Sequence, residues 1–121
     1  MNLIHSRLFP VVAVSLAAAS LSFAADQKSV TYAQQVRPVF EKNCFKCHGP
    51  EKQKEGVRFD SLADILSHDK LVRPGDSAGS GLIRVARQFG SGTGKHRKVK
   101  ATPLTPGDLT LLKTWIDQGA K

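Results

Sequence analysis

Cysteine is scarce in this 121-residue sequence: it occurs only as Cys44 and Cys47, with two positions between them. A disulfide across so short a gap closes a very small loop and pins no distant segments. The usual covalent staple of a small exported domain is therefore missing. There is no second C-x-x-C either. A zinc site of about four ligands would have to complete Cys44 and Cys47 with two of His48, His68 and His96. Methionine occurs once, as Met1, and no cysteine stands near residue 25, which argues against a lipoprotein anchor. No segment alternates apolar and polar residues as a half-buried strand does. Internal repeats are absent, as is any helix-turn-helix or stacking-aromatic pattern of a nucleic-acid binder.

What is present begins with a leader. His5 and Arg7 precede an apolar run from Leu8 to Leu21, interrupted by Pro10, Ser15 and Ser20. Ser22-Phe23-Ala24 then offers small residues where a signal peptidase reads them, so cleavage is expected before Ala25. The run is shorter than the roughly 20 residues that cross a bilayer core. Residues 1–24 thus read as a signal peptide and 25–121 as one small domain, exported to the periplasm, with no transmembrane segment in the mature form. A domain of this size has a limited core and often needs a staple. A large buried cofactor could fill that role. The chain has 18 Lys and Arg against 10 Asp and Glu, a formal net charge of +8. A basic surface favours acidic partners, and the leader argues against nucleic acid as one of them.

The periodicities are helical. Tyr32, Val36, Val39 and Phe40 form an apolar stripe over Thr31–Asn43, with Thr31 as its cap. Pro38 is awkward there, since it lacks an N–H and should kink the helix or divide it. Residues 51–59 read as an exposed loop. Asp60 or Ser61 caps a short helix with Leu62, Ile65 and Leu66 inward. Leu71–Asp76 is a Pro-Gly turn. Ser80–Phe89 is a second short helix, and Gly90–Thr102 a glycine-rich, then basic loop. Thr105, Pro106 and Asp108 form a capping-box start to the last helix, whose inner face is Leu109, Leu112, Trp115 and Ile116. Gly119 ends it.

One motif carries chemistry: Cys44-x-x-Cys47-His48. Two thiols at this spacing can add to the two vinyl groups of one haem, and the adjoining imidazole then reaches the iron from the same side. A thioredoxin-like pair needs its C-x-x-C at a helix start in a βαβ setting. Here the pair follows a helix in a strand-poor chain.

Around that motif the chain resembles the small cytochrome c domains of the planctomycete type. Tyr32-x-x-x-Val36-Arg37-Pro38-Val39-Phe40 leads into Asn43-Cys44-Phe45-Lys46-Cys47-His48-Gly49-Pro50. Val57-Arg58-Phe59-Asp60, then Val72-Arg73-Pro74-Gly75-Asp76 with Ser80, Leu82 and Ile83, follow the same pattern. So do Leu104-Thr105 and the closing Leu111-Leu112-Lys113-x-Trp115-Ile116-Asp117-x-Gly119-Ala120. The resemblance spans residues 32–120. It implies an all-α, cytochrome c-like fold with helices around one covalently bound haem c, the first and last helices crossing.

The sequence departs from that family at one place. The resemblance implies a Met-Pro-Pro shortly before the last helix, its methionine being the second axial ligand. Here the stretch reads His96-Arg97-Lys98-Val99-Lys100-Ala101-Thr102-Pro103-Leu104, without methionine. Three arrangements remain. His96 is the sixth ligand; or Lys98, Lys100 or His68 is; or the position is open. Lysine has to lose its proton, against its ordinary pKa of about 10.4.

Function is read from these residues. Cys44, Cys47 and His48 hold one haem, and His48 and His96 are the expected metal ligands. The leading expectation is a non-enzymatic electron carrier that meets an acidic redox partner. The alternative is a five-coordinate haem protein for small-ligand binding, sensing or peroxidase-like chemistry. Arg37 and Arg58 are candidates to meet haem propionates.

Overall fold

The computed structural model describes residues 28–121, and the expected signal peptide, 1–24, lies outside the described residues. Thr31 is extended and caps the first helical turn, its hydroxyl accepting from the Gln34 N–H at 3.4 Å. The chain then turns wide. Tyr32–Val36 is π-helical, and the Val36 and Arg37 N–H groups reach back five residues to the Thr31 and Tyr32 carbonyls. It tightens into α1, Arg37–Asn43, with Pro38 in the first turn. Pro38 has no N–H to give, and its ring crowds the carbonyl four residues back. The wide turn just before it relieves that conflict. The division expected at Pro38 thus falls one step earlier, between Val36 and Arg37.

The other helices are α2 (Leu62–Ser67), α3 (Gly81–Gln88) and α4 (Pro106–Asp117). Ser61 caps α2 by accepting from the Asp64 N–H. Thr105 and Asp108 form the full reciprocal capping box of α4, at 3.0 and 3.2 Å. Ser80 precedes α3 without capping it. Its buried hydroxyl instead accepts from the Arg73 N–H and donates to the Asp76 carbonyl, each at 2.8 Å. A 3₁₀ turn at Lys54–Gly56 lies inside the segment expected to be plain loop. Among the described residues there is no strand, only an isolated antiparallel bridge between His48 and Gln53. The all-α expectation holds.

The core joins the two ends of the described residues. Val36, Phe40, Ile65, Val72, Leu112, Trp115 and Ile116 are its most deeply buried large side chains. Tyr32 and Phe40 stand 6.3 and 6.1 Å from the Trp115 ring. Backbone bonds add to this: the Tyr32 N–H donates to the Lys121 carbonyl at 2.7 Å, and Trp115 Nε1 donates to the same oxygen at 3.0 Å. The first and last helical elements therefore pack together, with the π-helical turn supplying much of the contact. The Pro74–Asp76 turn docks on the end of α4, where the Gly75 N–H donates to the Ile116 carbonyl at 2.7 Å. No helix of the described residues is long and apolar enough to cross a membrane.

Candidate functional site

The motif begins where α1 ends. The Cys44 and Phe45 N–H groups both donate to the Phe40 carbonyl, and those of Cys47 and His48 to the Cys44 carbonyl. The next residues clamp this turn from outside. Gly49 donates to the Lys52 carbonyl, Lys54 to Cys47 and Phe59 to His48, at 2.7, 2.9 and 2.7 Å. Gly49 is required by the turn itself: a Cβ there would lie 2.5 Å from the Phe45 carbonyl oxygen.

Cys44 and Cys47 are free thiols, each partly exposed. Burial, with a smaller contribution from Cys47, pushes the Cys44 thiol up to about 12. Cys44 therefore stays neutral at ordinary pH.

His48 is aimed by two contacts. Its Nδ1 lies 3.0 Å from the Val57 carbonyl oxygen. A carbonyl can only accept, so in the neutral ring Nδ1 carries the hydrogen and Nε2 keeps a bare lone pair. This is the arrangement by which an outer hydrogen bond orients a metal-binding imidazole. Phe59 meets the same ring edge-on, at 5.7 Å and 86°.

His96 is brought to His48. The two ring centres are 6.0 Å apart with planes at 72°. Phe89 holds the His96 ring from another side, at 5.8 Å. Burial first, then His48 and Lys95, lowers the His96 pKa and favours its neutral form. The loop that carries it closes at Gly90, whose φ is +75° and where a Cβ would lie 2.6 Å from the Pro103 nitrogen. Of the other sixth-ligand candidates, Lys98 and Lys100 are exposed. His68 ends α2, its carbonyl accepting from Leu71 and Val72.

The two arginines considered for propionates have partners within the protein. Arg58 donates to Asp60 through Nε (2.9 Å) and Nη2, and approaches Asp64 at 3.6 Å. This bonding to Arg58 holds the Asp60 carboxyl below its usual range. The Arg37 guanidinium lies over the Phe45 ring, 5.5 Å from its centre.

The spacing of the two imidazoles is compatible with one metal shared between them. Two imidazoles sharing one metal, at about 2 Å per nitrogen–metal bond, have ring centres roughly 6 Å apart. The His48–His96 spacing matches, and both thiols are reduced. Among the described residues, no group of three or more His, Cys, Asp or Glu side chains is placed to hold a bare metal ion. The Val57 carbonyl was not foreseeable, because a backbone acceptor has no side-chain signature. Phe89 was legible as the end of a helix, but not its contact with His96 across the glycine loop.

Residues 44–89 match the family model described as Planctomycete cytochrome C. The match starts on the first thiol and ends on Phe89, one residue past α3. No curated protein and no solved structure matches the chain.

Proposed function

This chain carries a planctomycete-type cytochrome c domain, and from that premise we propose that it is an exported electron carrier with one haem, the iron held between His48 and His96. A cytochrome c domain implies covalently bound haem c. Cys44 and Cys47 are its attachment points. When bound, haem supplies a one-electron couple whose potential follows its axial ligands and surroundings.

The observation that carries this reading is the 6.0 Å approach of the His48 and His96 rings. The chain's own residues prepare both sides. Val57 fixes the tautomer of His48, leaving Nε2 free. Phe89 and the loop closure at Gly90 keep His96 opposite it. With both sides filled by the protein, no position is left for substrate, which suits electron transfer over ligand chemistry. Histidine in place of methionine sets a lower potential than methionine/histidine ligation gives. The basic charge suits an acidic redox partner, with association slowing as salt rises. The leader read in residues 1–24 supports work outside the cytoplasm.

The test is the ferric protein purified from a host that matures c-type cytochromes. Intact mass should exceed that of the polypeptide by one haem. Absorption and magnetic resonance should give a six-coordinate, low-spin signature that His96→Ala converts to high spin. A high-spin, five-coordinate native spectrum would overturn the carrier reading in favour of small-ligand binding or peroxide chemistry. The mass of the bare polypeptide would overturn covalent haem altogether.

A further inference from the structure

No acidic residue occurs between Asp76 and Asp108, a stretch holding six cations, Arg84, Arg87, Lys95, Arg97, Lys98 and Lys100, in a chain of net charge +8. The positive charge is thus dense in this stretch of the sequence. Arg84 and Arg87 stand one turn apart on α3 and, with Lys113 of α4, line an open cleft of about 500 Å³. Ala78 and Ile83 give it an apolar floor, while Ser77 and Gln88 add polar groups. The ion pairs among the described residues belong to Arg58 alone. The three cleft cations therefore have no acidic partner among the described residues. The nearby carboxylates are otherwise engaged. Asp117 accepts from the Ser77 N–H and hydroxyl at 2.8 and 2.9 Å, and Asp76 accepts from the Gly79 N–H at 2.8 Å.

We propose that this cleft binds a small multivalent anion, one carrying two or more phosphate or carboxylate groups. Three like charges facing one hollow repel each other, and an anion between them relieves that cost. The two guanidinium groups match phosphate and carboxylate oxygens as forks. The cleft is open and has room for a small molecule. The apolar floor accommodates the body of such a ligand while the rim holds its charges. Gln88 lines the cleft and also abuts the loop bearing His96, where a Cβ on Gly94 would run into its side chain. An occupant therefore touches a residue that the loop rests on.

The experiment is an amide chemical-shift titration of the purified full chain at about 0.15 M ionic strength, close to physiological, using sodium pyrophosphate and, separately, citrate. Saturable shifts are expected at Ala78, Arg84, Gln88 and Gly94. Affinity should fall at least tenfold in Arg84→Ala/Arg87→Ala and severalfold in Lys113→Gln. Lys52→Ala/Lys54→Ala, which removes the same charge elsewhere, should leave it unchanged. Pyrophosphate alone binding assigns a phosphorylated ligand, and citrate alone a polycarboxylate. Non-saturating shifts, or an equal loss in the Lys52/Lys54 control, would overturn the site as diffuse screening. Binding of hexaglutamate with neither small anion would also overturn it, in favour of a surface for an acidic protein.

Discussion

The Tyr32 hydroxyl donates to the carbonyl oxygen of Phe59 at 2.6 Å, across 27 residues of chain. The same Phe59 gives its N–H to the His48 carbonyl at 2.7 Å. Its ring sits 4.6 Å from Phe40 and 5.7 Å from His48. Phe59 thus links the first helical element and the aromatic core to the motif histidine.

Tyr32→Phe should loosen that link without altering the shape of the core. The buried Phe59 carbonyl would lose its donor, a loss of about 1–3 kcal/mol. In a domain of this size that lowers Tm by several degrees, on the order of 5 °C or more. Thermal melts of the two proteins decide it, and coincident melting curves would count against the bond.

The same hydroxyl sets an alkaline limit. Burial is the main cause that raises the Tyr32 pKa above 10.0, with Arg37 opposing and Asp60 and Glu41 adding to the rise. The folded state therefore holds this proton more tightly than the unfolded state. That stabilisation is present in full below the unfolded value near 10 and is lost as pH rises through the folded value. Denaturant unfolding from pH 8 upward should fall more steeply in the native protein than in Tyr32→Phe. Parallel curves would remove Tyr32 as the cause.

Gly49→Ala should fail for a reason unrelated to cofactor approach. The added Cβ meets the Phe45 carbonyl oxygen at 2.5 Å, a backbone atom that cannot swing aside. The turn placing His48 would have to open. The expected result is a loss of about 1–3 kcal/mol together with a lower yield of haem-loaded protein. A variant as stable and as fully loaded as the parent would show that the turn can relax.

The sequence made the helices and the motif legible because both are local. Thr105 and Asp108 read as a capping box and form one. The stripe of Leu112, Trp115 and Ile116 read as core and is buried. Pro38 announced a disturbance in the first helix, but its form, a π-helical turn ahead of the proline, depends on how Tyr32 and Val36 pack. His96 was singled out by its place in the resemblance. Its approach to His48 depends on a glycine loop that has no periodicity to read. The partners of Arg37 and Arg58 within the protein, Phe45, Asp60 and Asp64, come from the fold and not from a sequence signal.

Asp60 sets the acid limit. Hydrogen bonding to Arg58 is the first cause that lowers its pKa, so the folded state favours the carboxylate. This contribution is present above the unfolded value of about 3.9 and is lost as pH falls through the folded value. The stability gap between native protein and Asp60→Asn should therefore be widest near neutrality and close below about pH 4. Urea unfolding at stepped pH measures it. A gap constant down to pH 3 would mean that shape rather than charge is at stake.

Two glycines in the distal loop separate backbone strain from collision. Gly90 and Gly92 share nearly the same left-handed φ, +75° and +76°. A side chain at either position meets the conformational penalty of about 1 kcal/mol. At Gly92 nothing lies within 4 Å of the added carbon, whereas at Gly90 it runs into the Pro103 nitrogen and the Ala101 carbonyl at 2.6 and 2.7 Å. Those atoms are where the two ends of the His96 loop meet. Gly92→Ala should therefore cost a little stability and leave the ferric spectrum as it was. Gly90→Ala should force the loop ends apart, withdraw His96 from opposite His48 and raise the high-spin fraction toward that of His96→Ala. Equal spectra for the two variants would mean that the loop closure does not hold His96 in place, even if His96 is the ligand.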